Sequence, residues 1–209
     1  MKKLLQIFGK NKLDTKKAPI LIIGLGNPGR EYKESRHNVG FMAIDAMMKH
    51  WGVSMLRVQS KAIIGKERRS NQQIILGKPQ TFMNLSGQSV APLVRFYKVP
   101  QENLMVIHDD MDLPFGVIRI RKAGGSAGQK GLNSIIEQLG SQDFPRMRIG
   151  IGKPPGRMSG ADYVLQRFSK NEVSDLDFIM PHIVEAVETF IKSGIEQTMN
   201  KYNGSALKD

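Results

Sequence analysis

What most constrains this chain is the alternation of short apolar runs with stretches of helical spacing. Residues 20–24 (Ile-Leu-Ile-Ile-Gly) read as a buried strand ending in a glycine-rich turn. Residues 38–50 then place Val39, Met42, Ala43, Ala46 and Met47 on one helical face and stop at Gly52. Residues 55–65 and 72–77 read as paired strands across a polar turn at Arg68–Asn71. A helix fits 86–98, stopped by Pro100, and strands fit 104–108 and 116–121. A helix over 129–139 follows a Gly-Gly-Ser-Ala-Gly loop, and 146–151 make a further strand. Residues 171–199 are helical throughout, and a frayed tail is expected over 201–209, from about Asn203. This order predicts an α/β fold, with one domain over 20–200. Its mixed, twisted β-sheet is flanked by helices on both faces.

Composition narrows the function. Cysteine is absent, which excludes disulfides, thiol catalysis and cysteine zinc sites. No apolar run approaches the roughly 18 residues of a membrane span, so no membrane partner is expected. The apolar stretch Leu4 to Phe8 is too short for a signal peptide, so a cytoplasmic protein is expected. The formal charge is +12. Residues 1–19 hold six lysines against Asp14 and read as a flexible basic extension. Residues 116–157 hold eight basic residues against Glu137 and Asp143, inside the expected fold. Such clustering points to a polyanion, most simply nucleic acid. Residues 152–160 are rich in Gly and Pro and read as a functional flap.

Several motifs carry chemistry. Gly24-Leu25-Gly26-Asn27-Pro28-Gly29 has dinucleotide-loop spacing. Pro28 argues against that reading, because it removes an N–H that a pyrophosphate would use. The next helix also starts late, near Asn38. A tight turn explains the glycines but not Asn27. Ser35-Arg36-His37-Asn38 sets a histidine just before a helix, where an imidazole of near-neutral pKa serves as a general base. In Lys78 to Gly87, Asn84 or Ser86 reads most simply as a helix cap. His108-Asp109-Asp110-Met111-Asp112 clusters acids at the end of an apolar strand, where α/β sheets gather ligand sites. These acids also read as a solvated loop or a Mg²⁺ site. Arg119 and Arg121 are two apart on a strand and share a face, as do Arg146 and Arg148. Gly124-Gly125-Ser126-Ala127-Gly128 fits a nucleophile elbow, with Asp162 and His182 in the right order. The polar residues before it do not suit the buried strand such an elbow needs.

Taken in order, these motifs closely resemble the bacterial peptidyl-tRNA hydrolase family over roughly residues 20–195. The resemblance implies a monomeric, cytoplasmic enzyme with no metal, no cofactor and no obligatory protein partner. Its substrate would be peptidyl-tRNA, cut at the ester that joins peptide to tRNA. It implies His37 as general base and Asp109 as its orienting carboxylate. Asn27 and Asn84 match substrate-positioning asparagines, and Tyr32 and Met83 match site-lining positions. Arg119, Arg121 and Arg148 match residues that meet tRNA phosphates. This chain has Gln129-Lys130 where the family usually has His-Asn. Peptide handling there is therefore altered, and Lys130 is placed to meet a phosphate. The alternative is a branch of the same scaffold that binds RNA without hydrolysis.

Overall fold

Period-two alternation sorts the core into two layers. In β1 (Ile20–Gly24), Ile20 and Ile22 pack on one side of the sheet, and Leu21 and Ile23 on the other. A strand buried on both faces is central, and β1 pairs in parallel with two neighbours, as such strands do. The computed structural model describes residues 17–54, 57–69 and 71–207. The remaining strands are β2 (Arg57–Gln59), β3 (Ala62–Arg69), β4 (Gln72–Pro79), β5 (Leu104–Asp110), β6 (Val117–Arg121), β7 (Arg146–Gly150) and β8 (Gly204–Ser205). They form one sheet in the order β2-β3-β4-β1-β5-β7-β6-β8. The four strands β4-β1-β5-β7 run parallel, and the other pairings are antiparallel.

Helices cover both faces. α1 (Val39–Trp51), α5 (Lys170–Ser193) and α6 (Ile195–Tyr202) pack on Ile22, Met105, Ile107 and Met147. α2 (Gly87–Tyr97) and α3 (Lys130–Leu139) pack on Leu21, Ile23, Leu104 and Val106. The short α4 (Gly160–Leu165) follows the breaker-rich loop. One close approach positions the site. A Cβ on Gly24 would lie 2.0 Å from the carbonyl oxygen of Gly40, and one on Gly40 would lie 2.5 Å from that of Ile107. The backbones of β1, α1 and β5 therefore touch, which only glycine permits.

The mixed α/β architecture agrees with expectation, but four local readings do not. The strand expected over 55–65 is broken at Ser60 and Lys61, both with φ above +49°, into a tight hairpin between β2 and β3. Two residues with φ > 0 are what a two-residue hairpin turn demands. The next ladder runs on to Arg69↔Gln72, so Arg68 and Arg69 belong to the strand and not to the turn. The helix expected over 171–199 is interrupted at Gly194 (φ 82°), which ends α5 and starts α6. Residues 203–207, expected to fray, are held instead. Gly204 and Ser205 pair with β6, and Ala206 N–H donates to Gly116 O at 2.9 Å. The Asn203 side chain bonds both the N–H and the C=O of Ile120. Most of the basic extension, residues 1–16, lies outside the described residues. At its end, Ala18 O accepts from Gln72 Nε2 at 2.5 Å.

Candidate active site

A cleft of about 580 Å³ opens at the carboxyl ends of β1 and β5. It brings together Asn27, Tyr32, His37, Met83, Asn84, Asp109 and Lys130, all singled out in the sequence. The contact of β1, α1 and β5 explains the meeting. His37 sits in a short helical turn, Arg36–Asn38, that leads directly into α1. Asp109 is the sixth residue of β5. His37 Nδ1 lies 2.8 Å from Asp109 Oδ2. Asp109 is 3% exposed, whereas His37 reaches the cleft.

The turn that carries His37 is clamped from both sides. Arg36 makes a two-pronged ion pair with Glu172 of α5, at 2.6 and 2.8 Å. Its guanidinium lies 4.6 Å from the ring centre of Tyr163 and 4.9 Å from that of Phe168. Burial alone would raise the Glu172 carboxyl. Hydrogen bonds from Arg36 and Ser169 outweigh it and hold the group below its ordinary range. On the other side, Asn38 exchanges two hydrogen bonds with the backbone of Asn27, at 2.8 and 2.9 Å.

The asparagine amide is oriented by its neighbours. Asn27 Oδ1 accepts from the Met83 N–H at 2.8 Å. Its oxygen is thus engaged, and the Nδ2 end remains as the donor. Asn84 is exposed on the cleft wall and does not cap α2. Ser86 is the residue before α2, but its hydroxyl donates to Met83 O at 2.8 Å and caps no N–H.

The three acids after β5 do not converge. Asp109 faces His37, while Asp110 accepts from Arg148 and from the Asp112 N–H. Among the described residues, no group of three or more His, Cys, Asp or Glu side chains has metal-holding geometry. Ser126 lines the cleft, yet its hydroxyl bonds only the Gly128 N–H among the described residues. His182, its would-be partner, packs on Tyr202. The elbow reading fails on that geometry.

The arginines form one row. β6 and β7 pair Arg119 with Arg148 and Arg121 with Arg146, so all four share a face of the sheet. They differ in use. Arg121 is exposed, Arg119 is half-buried, and Arg148 is ion-paired with Asp110 at the cleft wall. Arg146 is buried and bonds the carbonyls of Gly125, Gln142 and Phe144. Burial, with Arg148 beside it, lowers Arg146 to about 10. His108 lies on the same face, with Nδ1 donating to Asp109 O at 2.7 Å. Burial pushes this imidazole below its ordinary 6.5. The residues that sequence reasoning left without a role are Arg36, Asn38, Asp110 and Gln129. Arg36, Asn38 and Asp110 stand in motifs already quoted. Gln129 was visible as a departure from the family pattern.

A strand-end cleft that sets an imidazole on a buried carboxylate, in a fold that also carries a row of arginines on β6 and β7, is the frame of an α/β hydrolase. Comparison gives the family. The model of the family Peptidyl-tRNA hydrolase matches residues 21–209. Peptidyl-tRNA hydrolase of Caldanaerobacter subterraneus subsp. tengcongensis is 49% identical over 88% of this chain and 99% of its own length. The chloroplastic peptidyl-tRNA hydrolase of Arabidopsis thaliana is 48% identical over 88% of this chain and 65% of its own. The crystal structure of peptidyl-tRNA hydrolase from Acinetobacter baumannii superposes with a TM-score of 0.84 at 34% identity, covering 91% of this chain and 97% of that one. The chain belongs to the peptidyl-tRNA hydrolase family.

Proposed function

We propose that this protein hydrolyses the ester joining a peptide to the 3′ end of tRNA, with His37, Asp109 and Asn27 as the reacting set. The observation that carries the reading is the 2.8 Å contact of His37 Nδ1 with Asp109 Oδ2 at the wall of the cleft. An ionised Asp109 accepts from Nδ1–H and fixes the tautomer that leaves Nε2 with its lone pair. Water attacks the ester carbonyl, and His37 Nε2 takes its proton. The carbonyl oxygen becomes an oxyanion, to which Asn27 Nδ2 donates. The tetrahedral carbon then expels the ribose oxygen, which takes the proton back from His37. Atoms balance without a covalent enzyme intermediate.

Asn84, Tyr32, Met83 and Lys130 line the route of the substrate. Arg119, Arg121 and Arg148 meet tRNA phosphates, reading position and shape more than base identity. The protein works as a cytoplasmic monomer. No described helix is long and apolar enough to cross a membrane. The intact His37–Asp109 pair favours hydrolysis over RNA binding alone. The test is release of N-acetyl-amino acid from purified N-acetyl-aminoacyl-tRNA. Catalytic release supports the reading. Binding of the tRNA with no release above background would instead leave an RNA-binding member of the family.

A further inference from the structure

We infer that Gln129 is a positioning residue for Asp109, strapping the carboxylate to the start of α3. This rests on the hydrolytic reading above. Its carboxamide is used at both ends. Nε2 lies 3.1 Å from Asp109 Oδ1 and 3.3 Å from Met83 Sδ. Oε1 accepts from the Leu132 N–H at 2.9 Å, capping the ten-residue α3. Asp109 therefore has a partner on each oxygen, His37 on Oδ2 and Gln129 on Oδ1.

A carboxylate held by one partner turns about its terminal torsion, which is broad and soft. A second donor on the other oxygen removes that freedom. It fixes which oxygen faces His37 and keeps the imidazole in one tautomer. An amide performs this without titrating. Among the described residues, His37 is the one ionisable side chain that hydrogen-bonds the Asp109 carboxylate. Asp110 is bound by Arg148, Asp112 and Lys130 are exposed, and His108 bonds the Asp109 carbonyl. Through Met83, whose N–H reaches Asn27 Oδ1, the same side chain also joins the base to the oxyanion donor.

Three variants of the full chain separate positioning from capping. Gln129→Ser keeps a good helix cap but is too short to reach Asp109. Gln129→Met keeps the volume and loses the bonds to Asp109 and to the Leu132 N–H. Gln129→His restores a ring N–H donor. Positioning predicts that kcat falls on the order of tenfold in the Ser and Met variants, as for other groups that orient a reacting residue. It also predicts little change in KM and recovery of most turnover in the His variant. The ¹⁵N spectrum of His37 in the Ser variant then shows mixed tautomers, with the melting temperature near native. Native kcat in Gln129→Ser, or a loss confined to KM, overturns the assignment. An inactive native protein would instead overturn the hydrolytic reading.

Discussion

Arg148 is ion-paired with Asp110, the residue directly after the carboxylate that holds His37. One arginine of the basic row is thus tied to the wall of the reacting cleft, while Arg121, two positions along β6 from Arg119, lies exposed. The two should behave differently on mutation. Arg121→Ala should weaken tRNA binding and reduce the slope of log Kd against log salt by about one, with kcat at saturation unchanged. Arg148→Ala should also cost about 1–3 kcal/mol of fold stability, because Asp110 loses its charged partner. Titrations of tRNA across salt, with denaturant midpoints, measure both. A native Kd that stays flat with salt would remove the phosphate assignment.

His37→Ala removes the proposed base and leaves the arginine row untouched. Turnover should drop by about 10²–10⁴ while tRNA affinity is kept. Single-turnover deacylation and a binding isotherm on the same preparation decide it. Near-native turnover would exclude His37 from the reaction.

Asn27→Asp isolates one donor. The aspartate retains an oxygen for the Met83 N–H and loses the Nδ2 proposed as the oxyanion donor. The fall in kcat should be about 10²–10³, the usual effect of an oxyanion donor. An unchanged melting temperature would show that packing around Met83 survives.

The Arg36–Glu172 clamp should be sensitive to acid. Glu172 is held below its ordinary value of 4.5 in the folded protein. A depressed carboxyl stabilises the fold above its unfolded pKa, and the contribution is lost as pH falls through the folded value. Glu172→Gln should therefore cost about 1–3 kcal/mol at neutral pH, and native and variant should converge in acid. Unfolding free energies across pH test this. A constant gap down to strongly acidic pH would mean that Glu172 is not the titrating group.

Sequence alone carried the central features a long way. The five apolar residues of β1 and the acids ending β5 are legible because burial and strand-end geometry leave a local pattern. Arg119, Arg121, Arg146 and Arg148 share a face because strand period is two. Other features rest on pairings that no local pattern records. The break at Ser60 and Lys61 follows from a hairpin geometry that neither residue favours by itself. β8 is two residues long and exists only because β6 offers it an edge. Gln129 was visible as an odd residue, but its partners Asp109 and Met83 lie 20 and 46 positions away.

That small C-terminal strand has a consequence of its own. β6 carries Arg119 and Arg121, and without β8 its outer side would present free amides and carbonyls to any passing chain. Gly204, Ser205 and the Asn203 carboxamide occupy part of that side. Residues 203–205 thus double as a selvedge for β6, the strand whose arginines are proposed to meet phosphate. Trimming residues 203–207 should loosen the edge that carries Arg119 and Arg121 while leaving the His37–Asp109 contact in place.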